Sequence, residues 1–120
     1  MSPGPKKRKY VRIPVVILVD IYSPGSLIPK GRGCVINLSL GGIAIETETD
    51  IDVGSEIYLK LKLGEETYDI FGKILRKQLS GNLFQYGVIY TKLNIFEKFK
   101  FKKRLKLWIE KHKTESTKSN

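Results

Sequence analysis

The chain has 120 residues, of which 41% are hydrophobic and 28% charged, and its formal net charge is +10. This length and composition predict one globular domain with no room for a second core. No apolar run approaches the roughly 20 residues needed to cross a bilayer, so we expect no membrane span. The first residues lead into charge rather than into an apolar stretch, which argues against a secretory leader and favours the cytoplasm. Cys34 is the single cysteine, which excludes an internal disulfide and a cysteine-cluster zinc site.

The N-terminal segment, residues 1–12, carries five Lys and Arg and no acid. It is polar and rich in Pro and Gly, so we predict a flexible basic arm. Residues 13–93 are nearly neutral, with eight bases against nine acids, whereas residues 94–113 carry eight bases against two acids. The two positive segments are suited to a polyanion, to anionic lipid or to a small phosphorylated ligand. For residues 94–113, a solvated lysine-rich surface is the slightly favoured explanation.

The neutral segment alternates between apolar and polar residues or is β-branched, and glycine turns interrupt it, which predicts strands. Six strands with short links favour antiparallel pairing of neighbours. Closure of the sheet into a small barrel over residues 13–93 removes its two exposed edges, and the glycines at 33, 42, 72 and 87 suit the bends. The fold class is therefore all-β, with predicted strands at residues 15–22, 33–37, 43–46, 57–63, 68–77 and 84–90.

A helix is predicted over residues 94–113, because Asn94 followed by Glu97 resembles an N-terminal cap. An apolar stripe at helical spacing then predicts a face packed against the barrel, although such a face is also typical of a partner-binding surface. The polar residues 114–120 predict a disordered tail. The stripe consists of Phe101, Leu105, Trp108 and His112.

Residues for catalysis are scarce, so we do not expect an enzyme and name no catalytic residue. His112 is the only histidine, and no nucleophile stands beside it in sequence. The chain has no phosphate-binding glycine loop with lysine and no nucleophile elbow. Acids alternate near the end of the third strand and form a weak candidate for a divalent cation, but a solvated loop explains them better, and we predict no metal and no cofactor. These acids are Glu46, Glu48, Asp50 and Asp52.

Two short segments supply binding chemistry. Arg8 and Arg12 each offer a planar donor fork that fits a phosphate, or O6 and N7 of guanine. Asn37 can accept from guanine N–H groups, Ser39 can donate to a phosphate, and Gly42 lets the backbone approach a flat base. By itself each segment has an ordinary explanation, because Arg pairs recur in basic tails and Asn, Ser and Gly form turns.

Taken together, the segments resemble the signature of the PilZ domain, a bacterial receptor for cyclic di-GMP. Its R-x-x-x-R arm before the first strand matches Arg8 and Arg12, and its (D/N)-x-S-x-x-G turn after the second strand matches the segment from Asn37 to Gly42. Similar positions continue through Gly72 to Arg76, and the resemblance covers about residues 6–112. It implies a six-stranded antiparallel barrel with a C-terminal helix.

The resemblance also implies residue roles. Arg8 and Arg12 would hold guanine edges and phosphates of cyclic di-GMP, while Asn37 reads a guanine, Ser39 binds a phosphate and Gly42 admits the base. Asn37 departs from the commoner Asp, and a neutral amide oxygen predicts a weaker bond than a carboxylate. Possible auxiliary contacts are Lys7, Lys9, Gly41 and Arg76.

We therefore expect a cyclic di-GMP receptor that relays the bound state to a downstream protein when the ligand orders the N-terminal arm. One alternative is a degenerate PilZ domain that binds only protein. Another is a small basic barrel that binds single-stranded nucleic acid. The nucleic-acid alternative is disfavoured, because Phe84, Tyr86 and Tyr90 share a strand face with no Lys or Arg between them.

Overall fold

Six strands and one helix make up the part of the chain that the computed structural model describes, namely residues 12–91 and 95–118, with side chains over 12–91 and 99–111. The predicted arm therefore lies outside the described residues except for Arg12. Each predicted strand is present, with ends shifted by a few residues. The elements are β1 (Ile13–Ile21), β2 (Gly31–Leu38), β3 (Gly42–Thr47), β4 (Glu56–Leu63), β5 (Glu66–Ser80), β6 (Leu83–Tyr90) and α1 (Ile95–Lys118).

The strands form one antiparallel sheet in the order β1-β2-β3-β6-β5-β4. Tyr22 and Tyr58 exchange two backbone hydrogen bonds of 2.9 and 2.8 Å, which join the end of β1 to β4 and nearly close the barrel. The expected six-stranded antiparallel barrel with a C-terminal helix is confirmed. Closure leaves little unpaired edge, which is the physical advantage of a barrel over an open sheet.

One pairing differs from the expected order of neighbours, because β3 pairs with β6 and not with β4. Residues 48–55 carry the chain from β3 to β4 and bond to β5 on the way. The Gly54 N–H donates to Ile74 O at 2.8 Å, and the Ile74 N–H donates to Ser55 O at 3.0 Å. The barrel thus consists of two meanders, β1-β2-β3 and β4-β5-β6, which meet along β3 and β6.

The core is formed by the side chains that alternate strand residues direct into the barrel. In β4 every second side chain, from Ile57 to Leu63, is at most 1% exposed, and the residues between them face outward or are half-buried. The aromatic residues of β6 also contribute to the interior. Tyr86 is 1% exposed, and its hydroxyl donates to Thr49 O at 2.8 Å and accepts from the Ile51 N–H at 2.7 Å. Tyr86 is therefore a core residue and cannot stack on a nucleobase.

The helix packs one face on the barrel. Phe101, Leu105 and Ile109 are 1%, 0% and 9% exposed, and Trp108 is partly buried against the same core. The buried positions of the helix recur every four residues, at 101, 105 and 109. We predicted that the buried stripe continues from Leu105 through Trp108 to His112, whereas Ile109 is its next buried member. The His112 side chain lies outside the described side chains. Over the described residues, no helix is both long and apolar enough to span a membrane.

The C-terminal end of the helix also differs from expectation. We predicted an end at residue 113 and a disordered tail over 114–120, whereas the helix continues to Lys118. Residues 114–118 contain no glycine or proline, so nothing in the local sequence stops helical hydrogen bonding there. Asn94, the predicted cap, and residues 119–120 lie outside the described residues.

Two leucines on opposite sides of the helix test its packing. Leu105→Ala should lower the free energy of unfolding by about 2–5 kcal/mol, because it leaves a cavity in the core. Leu107 is 53% exposed, so Leu107→Ala should stay within about 0.5 kcal/mol of the unsubstituted protein. Urea denaturation measures both values. Equal effects of the two substitutions would contradict the packing of this face.

Candidate functional site

A cavity of about 320 Å³ opens on the outer face of the barrel, over β2, β3, β5 and β6. It gathers every candidate from the sequence that the structure describes, although those residues come from distant parts of the chain. Arg8, Lys7 and Lys9 lie outside the described residues, so their roles stay predictions. The candidates that line the cavity are Arg12, Asn37, Ser39, Gly41, Gly42 and Arg76.

The floor of the cavity is one row of residues across four strands. The register pairs Asn37 with Ala44, Ala44 with Gly87, and Gly87 with Arg76. Two polar side chains therefore flank two of the smallest residues. A β-carbon at Gly87 would lie 3.1 Å from Nε and Nη2 of Arg76, so the guanidinium lies directly over the glycine. The row offers a flat apolar surface between two hydrogen-bonding groups.

Two irregularities in the strands direct the polar side chains of this row into the cavity. The β2–β3 register shifts between Val35 and Asn37, and the β5–β6 register shifts between Ile74 and Arg76. Val35 and Ile74 are buried at 0% and 1% exposure, and strict alternation from each would turn the residue two positions later inward as well. The extra residue in each strand turns Asn37 and Arg76 outward. Bulges commonly re-aim side chains beside binding sites.

Ser39 organises the turn between β2 and β3. Its hydroxyl accepts from the N–H groups of Gly41 and Gly42 and donates to Gly42 O, each at 3.1 Å. The Ser39 N–H donates to the same Gly42 carbonyl at 3.0 Å. This is the ordinary turn chemistry that the segment predicts without a ligand. To donate to a phosphate, the hydroxyl must leave Gly42 O.

Gly42 is required by the approach of two strands. A β-carbon at this position would lie 2.2 Å from the backbone oxygen of Val88 on β6, closer than any real contact. The backbone of Gly42 is not left-handed, so close approach and not unusual torsion selects glycine here. Its proposed second role, the admission of a base, stays a prediction.

Tyr90 supports the turn from the core side. Its hydroxyl donates to Ser39 O at 2.7 Å and lies 3.2 Å from Gly42 O. Burial raises the pKa of Tyr90, so the hydroxyl stays protonated and remains a donor. The Tyr90 ring packs edge-on against Phe101 of α1, with centroids 5.5 Å apart. The helix thus contacts the turn through one tyrosine.

The charge of the cavity is positive. Arg12 and Arg76 line it, and no carboxylate of the described residues does. The described residues provide no ion-pair partner for Arg76, whose guanidinium remains available to a ligand. A positive rim around a small apolar floor suits an anion that carries a flat ring.

Several lining residues were not anticipated from the sequence. Gly87 was assigned to a bend of the barrel, and Ala44, Leu75 and Ile89 were treated only as strand residues. The register could have identified Ala44 and Gly87, which pair with Asn37 and Arg76, and Ile89, which pairs with Gly42, whereas Leu75 adjoins Arg76 along its own strand. That register is not visible in a single sequence.

Comparisons with known proteins agree with the fold. A family model described as the PilZ domain matches residues 6–109. No curated protein matches the chain. Among solved structures, the Bacillus subtilis inhibitor of motility MotI/DgrA is similar at 21% identity with a TM-score of 0.68, over 91% of this chain and 53% of that one. The chain thus spans about half the length of that protein.

Two isolated PilZ domains are similar over nearly their whole length. The PilZ domain of YcgR from Escherichia coli, solved with c-di-GMP, has 15% identity and a TM-score of 0.71, over 96% of this chain and 100% of that one. The PilZ domain of CeSA from a cellulose-synthesizing bacterium has 22% identity and a TM-score of 0.60, over 83% and 96%. At these identities the likeness shows the fold.

The tyrosine behind the turn gives a direct test of this architecture. Tyr90→Phe should lower the free energy of unfolding by about 1–3 kcal/mol, because it removes a buried donor from Ser39 O. Tyr68 is the matched control, since its hydroxyl contacts only the exposed side chains of Glu66 and Arg104, and Tyr68→Phe should change stability by less than about 0.5 kcal/mol. Chemical denaturation compares them. A Tyr90→Phe protein as stable as the control would contradict the support of the turn by this hydroxyl.

Proposed function

The chain belongs to the PilZ domain family, and we propose that it binds cyclic di-GMP in the cavity on the outer face of its barrel. The observation that carries the proposal is the convergence of Arg12, Asn37 and Arg76 on one cavity floored by Ala44 and Gly87. These residues come from both meanders of the barrel, and only the fold brings them together.

The chemistry of the cavity matches the parts of a guanine nucleotide. The guanidinium groups of Arg12 and Arg76 can each bind a phosphate with two parallel hydrogen bonds, or O6 and N7 of guanine. The Asn37 amide makes no side-chain hydrogen bond to the described residues, so its oxygen can accept from a guanine N–H. The small side chain of Ala44 leaves room for the ring beside the Arg76 guanidinium, which lies over Gly87.

The size of the cavity supports a second part of the proposal, which concerns the N-terminal arm. At about 320 Å³ the cavity is near the lower end of the range of small-molecule pockets, about 300–1,000 Å³. A cyclic dinucleotide would therefore extend beyond it, and the N-terminal arm ends at Arg12, which lines the cavity. In this proposal Arg8, with Lys7 and Lys9, contacts the protruding phosphates.

Ligand binding would then fix the basic arm against the barrel and create a surface that a downstream protein recognises. The Ser39 hydroxyl would exchange its bond to Gly42 O for one to a phosphate, and Gly41 and Gly42 would border the base. This role is that of a binding and regulatory domain and not of an enzyme, and we place it in the cytoplasm.

The structure gives less support to nucleic-acid binding. Of the three aromatic residues of β6, Tyr86 is buried, Tyr90 bonds to the turn, and Phe84 is partly buried against the core. Stacking of successive bases requires exposed rings in a positive groove, and these rings face inward. A degenerate PilZ domain that binds only protein remains the alternative that calorimetry can distinguish.

Titration calorimetry with cyclic di-GMP tests the proposal. We expect binding, and Arg12→Ala should weaken it by about 1.5–3 kcal/mol, because a bond to a charged group is lost. Arg32 is the matched control: it does not line the cavity, and it forms an exposed 3.1 Å ion pair with Asp20. Arg32→Ala should bind cyclic di-GMP as the unsubstituted chain does.

Two results would overturn the proposal. The absence of heat at micromolar ligand would leave the domain as a protein-binding member of the family. Equal losses in Arg12→Ala and Arg32→Ala would show that general charge, and not this cavity, attracts the ligand.

A further inference from the structure

A second, smaller cavity of about 110 Å³ continues from the first along the outer face of the barrel. The two share a boundary formed by Arg12, Asn37 and Arg76, so a ligand in the main cavity borders the smaller one. Beyond that boundary the smaller cavity is lined by Gln78 and Gln85, which the sequence did not single out.

These glutamines belong to a hydrogen-bonded chain that crosses three strands. Gln78 Nε2 on β5 donates to Gln85 Oε1 on β6 at 3.0 Å, and Gln85 Nε2 donates to Glu46 Oε2 on β3 at 3.4 Å. The register places the three side chains directly opposite one another. Each of the three residues is two positions away, on its own strand, from a member of the Ala44–Gly87–Arg76 row. Because side chains alternate between the two faces of a sheet, all three project from the same face as that row.

The Glu46 carboxylate determines the donor-to-acceptor direction of the hydrogen bonds among these three side chains. A carboxylate accepts hydrogen bonds and does not donate, so Gln85 must turn its amide nitrogen toward Glu46 and its oxygen toward Gln78. Gln78 must then turn its nitrogen toward Gln85. The second oxygen of Glu46 and the amide oxygen of Gln78 remain as acceptors. The side of the smaller cavity away from Arg12 and Arg76 is therefore rich in acceptors, and the Glu46 carboxylate adjoins it through Gln85, which lines the cavity.

On this side, away from the two arginines, the acceptors favour ligand groups with N–H donors over phosphate. Guanine presents two adjacent N–H donors on its Watson–Crick edge, at N1 and at the exocyclic N2, whereas adenine presents one donor, its N6 amino group, beside an acceptor at N1. We propose that Glu46, oriented by Gln85, and Gln78 form a base-reading edge that selects guanine over adenine in a cyclic dinucleotide. The inference rests on the proposed function, since it names the part of the ligand that this edge contacts.

The edge also accounts for the amide at position 37. Asn37 occupies a position at which the PilZ signature more often has the carboxylate of Asp. Asn37 pairs across the sheet with Ala44. Glu46 follows Ala44 by two residues on β3, about 7 Å further along the strand on the same face. The site thus has a half-buried acidic group one row of the sheet away from Asn37, bonded to Gln85, which lines the smaller cavity.

Titrations of the full chain with cyclic di-GMP and with cyclic di-AMP test this role, and the readout is the ratio of the two affinities. Glu46→Gln should reduce the preference for cyclic di-GMP about tenfold through the loss of one charge-assisted bond, and Gln78→Ala should reduce it in the same direction. Glu65→Gln in the exposed β4–β5 turn removes the same charge away from the cavity and should leave the ratio unchanged.

The sign of the effect separates contact from general electrostatics. Removal of a negative charge near an anionic ligand should strengthen binding if only the overall field changes, so weaker cyclic di-GMP binding by Glu46→Gln indicates recognition by the Glu46–Gln85–Gln78 edge. Thermal melting of each variant checks that it is folded. An unchanged affinity ratio in both Glu46→Gln and Gln78→Ala, with cyclic di-GMP bound by the unsubstituted chain, would overturn this inference and leave the proposed function intact. If the unsubstituted chain bound neither dinucleotide, both proposals would fall.

Discussion

The pairing of β3 with β6 is the contact on which the site depends. It joins the two meanders of the barrel and so brings Asn37, from one, beside Arg76, from the other. The pairing is possible at its end because position 42 is glycine, since any β-carbon there would collide with the Val88 carbonyl. This backbone approach therefore helps both to join the two meanders and to bring the residues of the cavity together.

The residues of the β2–β3 turn have structural roles that do not depend on a ligand. Ser39 fills its hydrogen-bonding capacity within the turn, Gly42 permits the strand approach, and Tyr90 ties both to the helix. Substitution of these residues would weaken binding by disrupting structure, whether or not they touch the ligand. Residues at the rim, such as Arg12 and Glu46, separate the two effects better, because they lie outside the β2–β3 turn.

The sequence predicted the local features and not those that depend on register. Alternation in β4 identified its buried side chains, and glycine turns located all six strands, because both signals lie within a few residues. The β3–β6 pairing, the bulges beside Asn37 and Arg76, and the role of Gly87 arise from contacts between distant segments. The same limit explains why the Gln78–Gln85 edge was not anticipated, since neither glutamine belongs to a recognisable motif.

The central claim is that the outer-face cavity binds cyclic di-GMP, and amide chemical shifts measured during a titration test it most directly. The account predicts shifts concentrated at residues 37–46, 75–78 and 85–89, which border the two cavities. Residues 56–63 of β4, which line neither cavity, should keep their positions apart from small changes. Shifts confined to β4 or to the exposed face of α1, or none at saturating ligand, would contradict the account.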